Sequence, residues 1–290
     1  MKVCLSCGYR HDAADWCCPS CHEIPVDRDG ILMFGAPARG ESPADATYLD
    51  ADILAAEARH FWFDGRIQVL LWLLRRYFPT ARTLLDMGCG TGSVLEAIRR
   101  NHPSIVLAGC DVRFTTLSAA RQRANDIRFF AADTFALPYE SEFDVVVALD
   151  VLEHIDDDRA ALVALRNVLK PGGGLILTVP QHPWLWSQVD DFSCHRRRYV
   201  RADLEAKIRE AGFELLRVTS MFALTLPLVV LSRLPRRNEA FDPAAELRIP
   251  APVNTALSLV VSLERMLLRM GASLPIGSSL VAVGYRPIPA

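Results

Sequence analysis

From about residue 80 onwards two hydrophobic rhythms alternate along the chain. Short, nearly unbroken apolar runs ("ARTLLDM", "SIVLAGCDV", "IRFFAAD", "FDVVVALD", "GLILTVP") are separated by stretches such as "SVLEAIRR" and "DDDRAALVALRNVLK" with apolar positions at helical spacing. An apolar run bounded by turn residues predicts a buried strand, and the helical spacing predicts an amphipathic helix. The near-absence of polar positions in "FDVVVALD" suits a parallel strand covered on both faces. Strand and helix in alternation predict an α/β fold with a doubly wound sheet. Further on, "RADLEAKIREAG" reads as a helix, and "FELLRVTSM" and "SSLVAVGYRP" as the last two of seven strands.

Those last two strands are separated by residues 222–278, a helical insertion whose apolar stretches "FALTLPLVVLSRLPRR" and "APVNTALSLVVSLERMLLRMG" have basic ends. Pro227 in the first stretch, and Glu264 with Arg265 in the second, interrupt the apolar character, so no run is expected to span a bilayer. Two readings remain. The insertion is a helical cap or dimer surface packed on the sheet, or it makes peripheral contact with a membrane through Arg233, Arg236, Arg237, Arg265 and Arg269.

Composition adds bounds. The 290 residues are 51% hydrophobic and 23% charged, as in a globular protein, and length favours one large domain with an appendage. A net charge of −2 provides no global attraction to nucleic acid or anionic lipid. The N-terminus lacks the apolar segment of a signal peptide, and a cytoplasmic chain is expected, with the inner face of the membrane as the alternative if the insertion binds lipid.

Five of the eight cysteines lie in the first 21 residues, which does not suit a disulfide framework spread over a fold. "CLSCGYRHDAADWCCPSC" sets Cys4 and Cys7 in one C-x2-C pair and Cys18 and Cys21 in another. Two such pairs can present four thiolates to a structural zinc ion, so residues 1–34 read as a zinc-ribbon-like domain and 35–47 as a linker to a domain over 48–290. Cys17 competes with Cys18, and His11 or His22 with the cysteines; reduced thiols without metal are the plainer alternative. The ribbon carries little basic charge, so nucleic acid is not an expected partner. Nothing in the sequence specifies a protein partner for it.

In "LLDMGCGTG" an apolar strand ends at Asp86, and Gly88, Gly90 and Gly92 precede a helix. The spacing is not the G-x-G-x-x-G of dinucleotide folds, since position 93 is serine. Bare glycines admit a ligand to the backbone, and the helix N-terminus favours an anionic group. Asp111, Asp133 and Asp150 close the next three strands at the edge where open α/β sheets bind ligands.

Jointly, "LLDMGCGTG", "GCDV", "AADTFALP", "FDVVVALDVLEHI" and "LKPGGGLILTVP" resemble the class I S-adenosylmethionine-dependent methyltransferases, over about residues 48 to 220 and the last strand. The resemblance implies a Rossmann-like methyltransferase sheet and an S-adenosylmethionine site. Its contacts would come from Asp86, Gly88, Cys89, Gly90 and Gly92 around the methionine part and from Asp111 with Val112 at the ribose. Asp133, Thr134 and Phe135 would follow at the adenine, and Asp150 beside them. "EARHFWFDGR", "HPWLWSQVDDFSCHRRRY" and "LPIGSSLVAVGYRP" look like a bacterial subgroup associated with lipid-linked glycans, which implies O-methylation of a small-molecule or lipid-linked acceptor. An RNA methyltransferase whose ribbon presents RNA, and a non-catalytic cofactor-binding scaffold, are the alternatives.

Two histidines are the catalytic candidates. His154, with Asp150 and Glu153, occupies one face if a helical turn starts in "LDVLEHI"; the readings there are a cofactor-pocket role or a divalent metal. His195 lies in "HRRRY", as a base or a phosphate contact, against a solvated basic turn as the plain alternative. Trp184 and Trp186 wall a substrate pocket or are buried packing. Phe61, Trp62 and Phe63 fit a helix over the cleft, with Arg66 as a candidate contact to the cofactor carboxylate.

Overall fold

The computed structural model describes residues 1–35, 59–233 and 248–289. The chain opens with two short hairpins, β1 (Lys2–Val3) with β2 (Arg10–His11), and β3 (Val26–Arg28) with β4 (Ile31–Met33). Helix α1 (Phe61–Tyr77) precedes the α/β repeat β5 (Thr83–Met87), α2 (Ser93–Asn101), β6 (Val106–Asp111), α3 (Phe114–Arg123), β7 (Arg128–Ala131) and β8 (Phe143–Leu149). Then follow α4 (Asp158–Val168), β9 (Leu169–Pro180), the short α5 (Gln188–Phe192), α6 (Arg201–Glu210) and β10 (Glu214–Met221). Helices α7 (Leu226–Ser232) and α8 (Ala251–Arg269) lie before the final strand β11 (Ser279–Tyr285).

The main sheet runs β10-β11-β9-β8-β5-β6-β7-β4-β3. β9 to β4 are parallel; β11 is antiparallel to both β9 and β10, and β3 to β4. Chain order reverses between β5 and β8, so a crevice opens there at the carboxyl ends of the strands. Along β8, Val145, Val147 and Leu149 enter one core with Leu95, Leu117 and Val261, whereas Val146 and Ala148 enter the other with Leu162 and Leu204. The strict alternation, with both faces covered, is why this strand has no polar position after Asp144.

The sheet has nine strands among the described residues, two more than the sequence pattern predicts. The extra pair belongs to the cysteine segment: Leu32 and Met33 of β4 pair in parallel with Phe130 and Ala131 of β7. Asp29 and Gly30, both at positive φ, make the two-residue turn that closes the β3–β4 hairpin. The segment read as a separate appendage is therefore stitched to the sheet. Val3 N–H donates to the Pro138 carbonyl at 3.0 Å, and Trp16 packs on Phe34 and Tyr139. Most of the linker expected at 35–47, and the approach through residue 58, lie outside the described residues.

Two boundaries differ from expectation. The strand predicted from Gly174 begins instead at Leu169, which pairs with Phe143 of β8, and Gly172 and Gly173 exchange backbone hydrogen bonds with Arg286 beyond β11. The insertion is helical in α7 and α8, with Arg236 and Arg237 outside the described residues. α8 has 19 residues and, by length and composition alone, is apolar enough to cross a membrane, so the expectation that no segment is so long and apolar is corrected. Glu264 and Arg265 interrupt the apolar run without lowering its average enough to exclude it.

Candidate functional site

β5 delivers Asp86 and the glycine turn to the crevice. Asp86 is 2% exposed, and its Oδ2 has no hydrogen-bond partner. Burial raises its pKa to about 7; the Arg66 charge opposes the rise and that of Asp111 adds to it. Gly90 has φ +51°, and a Cβ built there would meet nothing within 4 Å, so this turn of backbone faces open space. Gly88 faces Val151, whose Cγ2 would lie 2.5 Å from an added Cβ, and Gly92 caps α2 from a left-handed conformation. Burial raises the Cys89 thiol pKa well above its ordinary value, with the charge of Asp111 adding to it, which keeps the thiol neutral.

Asp111, buried at the end of β6, accepts from Gly90 N–H at 2.9 Å and from Arg113 N–H at 3.0 Å. It thus fixes the glycine turn from the neighbouring strand. Val112 beside it is exposed. Asp133 is exposed after β7 and accepts from Phe135 N–H at 2.9 Å, capping a short turn that buries Thr134 and leaves the Phe135 ring in solvent. These groups line one edge of the sheet in the order β5, β6, β7.

Across the switch point Asp150 follows β8 at φ +55°, a conformation costly for a residue with a side chain. Its carboxylate pairs with Arg66 of α1 and accepts from Thr178 Oγ1 at 3.1 Å. Arg66 also lies over the Trp62 ring at 4.4 Å, so α1 does carry its aromatic start and a cation to the cleft.

The turn at "LDVLEHI" is a three-residue 3-10 turn over Leu152–His154, and Asp150 lies outside it, so Asp150, Glu153 and His154 do not share one helical face. Here the sequence expectation is corrected: the positive φ of Asp150 turns its carboxylate to Arg66 instead. The structure brings Glu153 and His154 to His195, with one ligand-capable atom of each within 4.8 Å of the others. Glu153 is fully buried with both carboxylate oxygens unpartnered, and burial, reinforced by the Asp150 charge, raises its pKa well above the carboxylate range. His154 and His195 meet edge to face at 4.8 Å between ring centroids. Crowding by protein atoms, then the charges of His195 and Arg113, lower the His154 pKa to about 4. His154 keeps a solvent-exposed side that screens these charges, and with its pKa lowered the ring is neutral at pH 7.

The segment between β9 and α6 is closed on itself, with His182 N–H bonded to the Tyr199 carbonyl and Tyr199 N–H to the Pro180 carbonyl. Within it Asp190 is fully buried. It accepts from Arg198 Nε at 2.7 Å and Nη2 at 3.0 Å, and from the Ser187 N–H and hydroxyl; His195 Nδ1 lies 2.9 Å away. Burial alone would raise the Asp190 pKa, but the hydrogen bonds from His195 and Arg198 and the Arg198 charge outweigh it and hold it far below the usual range. The carboxylate can then only accept, so His195 donates through Nδ1 and keeps Nε2 free. Asp190 has no role in the sequence reading; its signal was an acid five residues before a histidine on a turn.

The other arginines of "HRRRY" also have internal acids, Arg196 with Asp156 at 3.1 Å and Arg197 with Asp158 at 2.9 Å. The basic stretch is therefore neither a free phosphate clamp nor a wholly solvated turn. Trp184 and Trp186 are exposed, which removes buried packing as their role.

At the opposite end of the chain, the Sγ atoms of Cys4, Cys7, Cys18 and Cys21 lie within 4.8 Å of one another, with Cys4 to Cys21 at 3.6 Å and Cys7 to Cys18 at 3.7 Å. Four thiolates at about 2.3 Å from a zinc ion would stand about 3.8 Å apart, close to this spacing. Cys17, His11 and His22 are outside the group.

Comparison with known proteins gives these geometries a context. A family model described as "Methyltransferase domain" matches residues 85–177. A "Ubiquinone biosynthesis O-methyltransferase" of Pseudomonas paraeruginosa is 30% identical over 166 residues, 49% of this chain and 69% of that protein. A "tRNA (carboxymethyluridine(34)-5-O)-methyltransferase" of Arabidopsis thaliana is 31% identical over 116 residues, 39% of this chain and 26% of that one. Among solved structures, a complex of the Haloferax volcanii Trm112 methyltransferase activator with a methyltransferase gives a TM-score of 0.57 at 21% identity, covering 86% of this chain and 100% of the other, a likeness of fold.

Proposed function

The chain belongs to the class I S-adenosylmethionine-dependent methyltransferases, and from that premise we propose that it methylates a hydroxyl of a small-molecule or lipid-linked acceptor, with His195 as the base. The observation that carries the proposal is the Asp190–His195 pair, a histidine with one fixed tautomer at the ligand edge of the sheet. The O-methyltransferase name of the Pseudomonas relative supports oxygen as the acceptor atom.

The residues of the crevice fit the cofactor. Asp86 offers a buried oxygen without a partner, suited to an ammonium group, and Arg66 a cation suited to the adjoining carboxylate. The open space at Gly90 is a cradle that any side chain would fill. Asp111 and Val112 would meet the ribose, and Asp133, Thr134 and Phe135 the adenine. S-adenosylmethionine supplies an electrophilic methyl group on a sulfonium. The protein's part is to align the acceptor oxygen, to exclude water with α1, and to receive the hydroxyl proton at His195 Nε2. Asp190 then stabilises the imidazolium, and neutral His154 leaves the proton to its neighbour.

In this reading residues 1–34 are a ribbon whose four cysteines hold a structural zinc ion, residues 48–290 are the catalytic domain, and the enzyme works in the cytoplasm. The test is methyl transfer from labelled S-adenosylmethionine into cell extract, separated afterwards into lipid, RNA, protein and small-molecule pools. Label in the lipid or small-molecule pool supports the proposal. Label confined to RNA would replace it with the activity named for the Arabidopsis relative.

A further inference from the structure

α8 is apolar on two sides. Its inward residues Val261, Glu264 and Leu268 are buried, and Asn254 ties the helix to the start of α1 by accepting from Phe61 N–H at 2.9 Å and donating to the Arg59 carbonyl at 2.9 Å. The contact with α1 is close, since a Cβ on Gly65 would lie 2.6 Å from Val261 Cγ1. Yet only 17% of the apolar window of α8 is buried. Leu259, Leu263, Met266 and Met270, spaced by four, three and four residues, form a second apolar stripe facing solvent, each about half exposed or more. Glu264 also accepts from Leu224 N–H at 3.0 Å, which brings the exposed Leu224 at the entry to α7 beside the middle of this helix.

Charge decides what such a face suits. The only acid in α8 is Glu264, and it points inward. Arg265 and Arg269, four residues apart, lie along one side of the stripe with Arg75 of α1 nearby, and among the described residues none of the three has an ion pair. Burial lowers the Arg269 pKa, and the charges of Arg265 and Arg75 lower it further, so three cations stand together without an anion. An apolar stripe edged by uncompensated arginines matches an interface whose headgroups are anionic and whose interior is apolar.

We infer that the outward face of α8 docks the enzyme on an anionic bilayer, with the helix lying along the interface. The inward face, held against α1, argues against a helix threaded across the bilayer. The inference rests on the lipid-linked acceptor proposed above and gives that reading a geometry: α1, which carries Arg66 to the cleft, is the next layer behind the docked helix.

The test is co-sedimentation of the full chain with vesicles of phosphatidylglycerol and, separately, of phosphatidylcholine, without acceptor or cofactor. Sedimentation with phosphatidylglycerol, at least about ten-fold weaker with phosphatidylcholine and reduced by salt, is the expected result. Leu263→Glu, and Arg265→Gln with Arg269→Gln, should each lose that binding by about ten-fold while melting temperature and cofactor affinity stay as in the parent chain. No sedimentation with phosphatidylglycerol at low salt would overturn the inference. So would variants that bind like the parent, or a dimer that Leu263→Glu converts to monomer, which would give the face to a second copy. Vesicle binding without lipid methylation would refute the acceptor and spare the docking; lipid methylation without vesicle binding would do the reverse.

Discussion

Asp190 holds His195 in one tautomer: the carboxylate lies 2.9 Å from Nδ1 and is itself gripped by both a terminal and an internal nitrogen of Arg198. A carboxylate this buried would ordinarily protonate, and the hydrogen bonds from His195 and Arg198, with the Arg198 charge, keep it charged. The first prediction follows from that charge. Asp190→Asn retains shape but removes the anion, so turnover should fall by about 10²–10⁴-fold, the range of a general base, while cofactor affinity changes little. Initial rates with calorimetric titration of the cofactor check this. Equal loss of affinity and turnover would indicate a merely structural role.

Asp111 fixes the glycine turn, its Oδ2 accepting from Gly90 N–H at 2.9 Å, and in the proposed reading it also meets the ribose. Asp111→Ala should weaken cofactor binding by about 1.5–3 kcal/mol, the value of a hydrogen bond to a charged group. The melting temperature of the unliganded protein should shift less. Titration of both proteins with S-adenosylhomocysteine measures it, and unchanged affinity would remove Asp111 from the site.

pH should reveal Asp86. Its folded pKa of about 7 is raised from 3.8 by burial, so the unliganded protein is most favoured by this group below about pH 4 and loses that contribution as pH rises to 7. Pairing with the cofactor ammonium requires the ionised carboxyl and the protonated amine, so affinity should increase from pH 6 towards about pH 7.5 and fall again as the amine loses its proton at about pH 8. Asp86→Asn should bind weakly and flatten the profile. A parent profile already flat over this interval would exclude the pairing.

Much of the sheet was legible because parallel strands buried on both faces leave long apolar runs, and because the acids at Asp86, Asp111, Asp133 and Asp150 each end one. β3 and β4 were not, since three-residue strands carry too little periodicity, although "DRDGI" held a hairpin turn signal. The site was legible as a set of positions but not as a set of partners. Helical spacing put Asp150 with Glu153 and His154, whereas a positive φ turned Asp150 to Arg66 and tertiary packing brought in His195 from a segment about forty residues on. Likewise the apolar insertion was plain, but which side of α8 faces solvent depends on α1.

The stitching of the ribbon to β7 carries its own consequence. Cys18→Ser should abolish the proposed zinc binding and loosen β4 from β7. Amide exchange should then quicken at Val3 and Phe34, whose N–H groups donate to the Pro138 and Ala131 carbonyls at 3.0 and 2.8 Å. Metal analysis and hydrogen exchange together check it. One full equivalent of zinc in the variant would contradict the ligand set, and unaltered exchange after zinc loss would contradict the coupling.

The most direct test of the account is transfer of labelled methyl to the lipid and small-molecule pools by the parent chain and by His195→Ala, both saturated with S-adenosylmethionine. The account predicts a new O-methyl group in the product made by the parent chain, and a loss of about 10²-fold or more in the variant despite intact cofactor binding. Undiminished transfer by His195→Ala, or a methyl group found only on RNA, would contradict it.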